Sequence, residues 1–193
     1  MNRLQGIKMV KGQAYIDRVS WAMDLLNKTA PDKKERVGVE VGLWKADFAM
    51  WMLEGDKNLH WYGVDPYFMY GHKHRKQSDW DAVYARVCSK MEKYGERFTL
   101  VRKPSIEGVE FIPDNVDFVF IDGNHDYKFV LDDITAYEKK VRPGGILAGH
   151  DYFPPYTAVR KAANEYAEKH NRDLNASDKF DPYGVFWWKV PNQ

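Results

Sequence analysis

The sequence predicts an α/β protein built on a doubly wound, mostly parallel sheet. Short β-branched or aromatic runs alternate with helical periodicity between residues 37 and 170. The run Phe118-Val119-Phe120-Ile121 lacks period-2 alternation, as expected of a strand covered on both faces. Successive strands also end at or near a carboxylate: Glu40, Asp65, Asp122 and Asp151. Right-handed crossovers would bring those ends to one edge of the sheet, where ligands of such folds bind.

Taken in order, residues 13–27 place Tyr15, Ile16, Val19, Ala22, Met23 and Leu26 at helical spacing and predict an amphipathic helix. Residues 28–36, with Pro31 and mixed charges, read as a solvated linker. A strand over 37–42 leads through a tight turn into a helix over 45–53, carried by Phe48, Met52 and Leu53. The next strand, 59–64, is stopped by Asp65-Pro66. Residues 67–79 are aromatic and basic without a clean period and read as a loop beside the site. Their His72, His74, Arg75 and Lys76 fit a solvated surface better than an anion site. A helix over 80–94, a strand over 98–101, a turn over 103–105 and a short helix over 106–111 follow.

The central strand ends in Asp122-Gly123-Asn124-His125, and Asp126 opens a helix whose apolar face includes Phe129, Val130, Ile134 and Tyr137. Arg142-Pro143-Gly144-Gly145 is a strong turn signal before a strand over 146–151. A helix over 157–170, a polar stretch over 171–183 and a closing strand over 185–190 complete the chain, with Trp187 and Trp188 as packing residues.

With 193 residues and no compositional break, one globular domain is expected. A net charge of +1, from 29 basic and 28 acidic residues, argues against a general nucleic-acid or membrane binder. No apolar run approaches the roughly 18 residues of a membrane span, and residues 1–10 lack the apolar core of a signal peptide. A soluble, cytoplasmic protein is the expectation. The single Cys88 excludes an intramolecular disulfide and reads as a half-buried helix residue. Oligomeric state is not legible, and a homo-oligomer is compatible with the sequence.

Four carboxylates on one rim repel one another unless a cation or a polyhydroxyl ligand offsets them. After Gly42 come Leu43, Trp44, Lys45 and Ala46, so the turn lacks the later glycines of a dinucleotide fingerprint and the Gly-Lys-Ser/Thr of a phosphate loop. A ligand without phosphates is favoured. Asp65, 25 residues beyond Glu40, stands where an acidic residue accepts ribose hydroxyls. S-Adenosylmethionine meets both conditions, having a ribose, no phosphate and a sulfonium that aromatic faces stabilise.

The chain resembles the class I S-adenosylmethionine-dependent methyltransferases, especially the macrolide-sugar and catechol O-methyltransferases. The resemblance lies in Val39-Glu40-Val41-Gly42, Gly63-Val64-Asp65-Pro66-Tyr67, residues 117–127 and residues 142–152. It implies a seven-stranded Rossmann-like sheet whose C-terminal strand is antiparallel, with residues 1–36 as an N-terminal helix and linker and 37–193 as the methyltransferase domain. By the same resemblance Glu40 and Gly42 hold the methionine and ribose end, Asp65 the ribose and the turn ending at Ser105 the adenine. Asp122, also at the cofactor, joins Asp151 in binding a divalent metal such as Mg²⁺, and His125 is the base. Two positions depart from these relatives. Ala46 replaces a second glycine, and Tyr152 stands where they keep an acidic or amide residue, which predicts a weaker metal site or none.

Methyl transfer to oxygen needs an aligned acceptor and removal of its proton. Metal on Asp122 and Asp151, with His125 as base, would supply both for a small hydroxylated acceptor whose pocket includes residues 67–79. Taken alone, Asp122-Gly123 is equally an ordinary strand-end turn, and Asp65-Pro66 likewise. Rival readings are a metal-independent methyltransferase, a non-methylating small-molecule enzyme resembling the cephalosporin hydroxylases, and a non-catalytic cofactor-binding protein. A nucleotide-dependent dehydrogenase ranks last.

Overall fold

The computed structural model describes residues 13–68, 76–180 and 183–192. Tyr70, His72, His74 and Arg75 of the aromatic, basic loop lie outside the described residues, as do residues 1–12 and the side chains of Tyr15 and Ile16. Seven strands form one sheet: β1 (Arg36–Val41), β2 (Leu59–Val64), β3 (Phe98–Val101), β4 (Val116–Ile121), β5 (Val141–His150), β6 (Asn175–Ser177) and β7 (Val185–Lys189), in the order β3-β2-β1-β4-β5-β7-β6. The first five run parallel, and β7 is antiparallel to both β5 and β6. Helices α1 (Gln13–Thr29), α2 (Asp47–Gly55), α3 (Gln77–Met91), α4 (Ser105–Gly108), α5 (Tyr127–Glu138) and α6 (Thr157–Lys169) cover the sheet.

β4 shows why the apolar run has no alternation, since all six of its residues are buried. Phe118 and Phe120 face one core with Val19, Leu26, Phe48 and Met52 from α1 and α2. Val119 and Ile121 face the other, with Val130, Ile134 and Tyr137 of α5 and Val159 of α6. Side chains on successive strand residues point to opposite faces, so both sets must be apolar when helices lie on both sides.

Several boundaries differ from expectation. The Arg142–Gly145 signal makes a bulge inside β5 instead of a separating turn. Val116 pairs with Val141 and Phe118 with Ile146, so residues 142–145 stand opposite Asp117 alone, and Gly144 takes a φ of 77° to allow it. The polar stretch after α6 holds β6, a strand that hydrophobic patterning does not reveal. α3 starts earlier than predicted, at Gln77. Cys88 is exposed, not half-buried. Phe129 is 39% exposed and borders the cleft described below instead of packing in the core. No helix among the described residues is long and apolar enough to cross a membrane.

The chain winds from β1 outward to β3, then crosses to β4 on the other side of β1. That reversal opens a crevice at the carboxyl ends of β1 and β4. Three backbone bonds hold the strand ends level there: Gly42 N donates to Val64 O (2.9 Å), Asp65 N to Val101 O (3.1 Å) and Asp122 N to Val41 O (2.8 Å).

Candidate active site

A cleft of about 1310 Å³ opens at this crevice, and Glu40, Gly42, Asp65, Ser105, Asp122, His125 and Asp151 all border it. Single small-ligand pockets run to roughly 300–1,000 Å³, so the cleft has room for two ligands side by side.

Its first half is built by the turns after β1 and β2. Gly42 has a φ of 90°, and a Cβ on it would lie 2.2 Å from the backbone oxygen of Asp122. Only glycine lets β1 and β4 close this tightly. Trp44 (φ 49°), Ala46 (φ 56°) and Tyr67 (φ 46°) also hold left-handed backbone without being glycines, a strain that collects at functional turns. Ala46 thus adopts the conformation favoured by the glycine it replaces. Asp65 binds the two turns together, its Oδ2 accepting from Trp44 N at 2.9 Å and its Oδ1 from Tyr67 N at 2.8 Å. Burial raises its pKa despite those two bonds. Glu40 is 3% exposed and accepts from Ala49 N at 3.1 Å. Burial first, and Asp122 second, lift its pKa well above the usual carboxylate range, while Arg18 opposes the rise.

The second half gathers Asp122 and His125 after β4 with His150 and Asp151 at the end of β5. One ligand atom each from Asp122, His125 and Asp151 lies within 4.8 Å of the others. His125 Nε2 is 2.7 Å from Asp151 Oδ2, while His150 Nδ1 stands 3.3 Å from Asp122 Oδ1 and 3.2 Å from Asp151 Oδ2. Asp151 reaches back toward both imidazoles because its own φ is 60°. Burial would raise its pKa, but the hydrogen bonds from His125 and His150 outweigh that and hold it below the ordinary carboxylate range. The hydrogen bond that His125 donates to Asp151 raises the pKa of His125. Rings of Tyr156 and Tyr183 wall this half, with Tyr156 centred 4.5 Å from His125.

As a donor set, two carboxylates and an imidazole fit a divalent cation, the carboxylate oxygens suiting a hard one such as Mg²⁺. Tyr152 adds nothing to it. Its ring is buried against Phe153 and Phe186 and its hydroxyl donates to Asn164 Oδ1 at 2.6 Å.

Sequence reasoning missed two contributors, Asp133 and Arg18; a third, His150, a weaker candidate for the base by its place just before Asp151, where a side chain is expected to point into the sheet, instead sits at the rim between the two aspartates. Asp133 on α5 is 2% exposed at the cleft wall near Ser105, and burial pushes its carboxyl up to about 7. Arg18 on α1 is 6% exposed and borders the cleft. A charge on the apolar stripe, four residues before Ala22, was the available signal for Arg18. Asp133 had a similar one, an acid next to Ile134 on the core-facing side of its helix.

Comparison with known proteins supplies the family context. A family model described as a methyltransferase domain matches residues 39–152. An uncharacterized protein, R132, of Acanthamoeba polyphaga mimivirus is 25% identical over 126 residues, covering 63% of this chain and 53% of that protein. The chain thus spans about half the length of this curated relative. The O-methyltransferase TomG of Streptomyces achromogenes, involved in tomaymycin synthesis and solved with S-adenosylmethionine, superposes with a TM-score of 0.61 at 12% identity, over 98% of this chain and 94% of that one. An rRNA methylase from Streptococcus thermophilus gives a TM-score of 0.62 at 12% identity, over 96% of this chain and 100% of that one. At such identities the likeness shows a shared fold.

Proposed function

The chain belongs to the methyltransferase-domain family, of the class I S-adenosylmethionine-dependent type, and from that premise we propose that it methylates a hydroxyl of a small acceptor with the help of a divalent cation. The observation that carries this reading is the meeting of Asp122, His125 and Asp151 within 4.8 Å, in the same cleft as Glu40 and Asp65.

When bound, S-adenosylmethionine supplies an electrophilic methyl group on a sulfonium. Glu40 and Gly42 receive the methionine and ribose end, where a buried carboxyl gains a cationic partner. Asp65 keeps further lone pairs for ribose hydroxyls beyond those bonded to Trp44 and Tyr67. The turn ending at Ser105 borders the adenine. Asp122 and Asp151 would hold the cation, whose Lewis acidity would make an acceptor hydroxyl easier to deprotonate. His125 donates from Nε2 to Asp151, which leaves Nδ1 to take the acceptor's proton, and Asp151 stabilises the resulting imidazolium. His150 steadies both carboxylates through Nδ1. The near-zero net charge supports a small acceptor over nucleic acid.

One observation favours a second reading. The 2.7 Å bond between His125 and Asp151 makes a base dyad by itself, and the chemistry would then need no metal. Thermal unfolding with and without S-adenosylhomocysteine, and activity with and without a chelator, decide the matter. Cofactor product at 100 times its Kd should add about 2.7 kcal/mol of stability. The absence of any such shift sinks the methyltransferase reading, and chelator-insensitive turnover selects the metal-free version.

A further inference from the structure

His150 is placed to do more than steady the two aspartates, because its Nδ1 stands 3.3 Å from Asp122 Oδ1 and 3.2 Å from Asp151 Oδ2. Both distances exceed the roughly 2.7–2.9 Å of a charge-assisted hydrogen bond. Ligand atoms that meet one cation at right angles, each over a bond of about 2.1 Å, lie roughly 3 Å from one another. The nitrogen is thus spaced from both oxygens as a neighbouring ligand would be. Rings of Phe120 and Tyr183, each centred 6.4 Å from that of His150, hold the imidazole at the rim. The left-handed backbone of Asp151, with its φ of 60°, turns the carboxylate back against the residue that precedes it. His125 is placed differently. Its Nε2 lies 2.7 Å from Asp151 Oδ2, a hydrogen-bond distance closer than co-ligands sit, and its side chain is 42% exposed against 9% for His150. The two imidazoles therefore divide the work, His125 handling the proton and His150 the cation.

Resting on the metal-assisted reading, we infer that His150 is a nitrogen ligand of the cation at Asp122 and Asp151, and that the site takes a first-row transition ion of the Co²⁺ or Zn²⁺ type in preference to Mg²⁺. Imidazole suits Zn, Cu, Fe and Ni, whereas carboxylate, carbonyl and water oxygens suit Mg. Mg²⁺ gives up its waters reluctantly, so a nitrogen in the set works against it. To ligate through Nδ1 the ring keeps its proton on Nε2, and the two carboxylates then balance the charge of a divalent ion. The nearby Tyr152 supplies no harder oxygen, its hydroxyl being committed to Asn164. A histidine that merely steadied the carboxylates would strengthen the hold on every cation alike. One that ligates changes which cation is chosen.

The two roles separate when Co²⁺ and Mg²⁺ are each titrated calorimetrically into wild type, His150→Gln and His125→Ala. Wild type should bind Co²⁺ roughly 100-fold more tightly than Mg²⁺, and in His150→Gln that ratio should fall by about tenfold or more. Loss of mere outer-shell support lowers affinity by about 10- to 100-fold but for both ions together, leaving the ratio in place. In proton NMR, Co²⁺-loaded wild type should show the strongly shifted, exchangeable N–H signal of a ligated imidazole. His125→Ala should retain that signal and His150→Gln should lack it. Should His150→Gln fail to fold, the Co²⁺ preference and the signal in His125→Ala carry the test. A signal lost in His125→Ala, or equal affinities of wild type for the two ions, overturns the inference while leaving a metal-assisted reaction in place. A wild type that binds neither ion overturns both the inference and the metal-assisted reading, whereas stabilisation by S-adenosylhomocysteine reports on methyl transfer separately.

Discussion

An imidazole hydrogen-bonded to a buried carboxylate holds its proton more tightly than one in water, and His125 is in that position beside Asp151. As a general base it must be neutral, so the acidic limb of kcat/KM against pH should fall above the ordinary histidine value of about 6.5. His125→Ala should lower kcat by about 10²–10⁴ while leaving S-adenosylhomocysteine affinity unchanged. Loss of binding in that variant would mean that His125 belongs to the cofactor half instead. Stability carries the same signature with the opposite sense. The raised pKa of folded His125 makes its contribution complete below about 6.5 and lost as pH climbs through the folded value. For Asp151, held low, the contribution is present above the unfolded value of about 3.9 and disappears on acidification. The pair therefore helps the fold most between these limits, and the side chain of His125, 42% exposed, keeps that help small. Asp65, Asp122 and Asp151 were readable because each directly follows a strand. The placement of His150 was not, since it depends on the left-handed turn at Asp151, which no residue type there announces.

Among the elements, α5, α6 and β7 are joined by one carboxylate. Glu138, 7% exposed at the end of α5, accepts from Arg172 Nε at 2.8 Å and Nη2 at 2.9 Å, from Tyr166 hydroxyl at 2.7 Å and from Trp188 Nε1 at 2.7 Å. Burial opposes its ionisation, but those four donors win and lower its pKa. Glu138→Ala should cost about 3 kcal/mol, the low end for breaking a buried pair, because Arg172 can regain water. At this chain length that corresponds to a drop of roughly 6–12 °C in Tm. Because the folded pKa is depressed, the stabilisation is complete above about pH 4.3 and lost below it. The difference in Tm between wild type and variant should therefore shrink toward pH 3. A difference independent of pH would assign the cost to packing instead of charge. Trp188 was legible as a core residue from its strand, whereas its bond to Glu138 joins residues 50 apart and has no local pattern. β6 escaped for a related reason: Asn175-Ala176-Ser177 is a strand only because β7 pairs with it.

At the scale of the whole molecule, the alternation of elements told the mostly parallel sheet with helices on both faces, and the least legible matter was which surface the N-terminal helix covers. Periodicity gives α1 an apolar face but not the surface it covers. That face buries Val19, Trp21, Ala22, Met23 and Leu26 in the core shared with Phe48 and Phe120. Each large side chain among them is worth roughly 1.5–3 kcal/mol, so the set approaches the 5–15 kcal/mol of a typical domain. The linker adds a second tie at Asp117, which is wholly buried and accepts from Lys33 Nζ (2.8 Å), Val37 N (2.8 Å) and Arg142 Nε (2.6 Å). Arg142 in turn donates to Thr29 O at 2.7 Å, so the bulge of β5, the start of β4 and the end of α1 are held as one. We therefore propose that residues 1–36 and 37–193 fold as a single cooperative domain, with α1 supplying Arg18 to the cleft. The full chain should unfold in one calorimetric transition whose van't Hoff and calorimetric enthalpies agree. A chain beginning at Val37 should show no cooperative transition and no binding of S-adenosylhomocysteine, since it lacks both the cover over Phe120 and Lys33, the partner of the Asp117 carboxylate. If that shorter chain melts cooperatively and binds with full affinity, α1 is an appendage and Arg18 is dispensable.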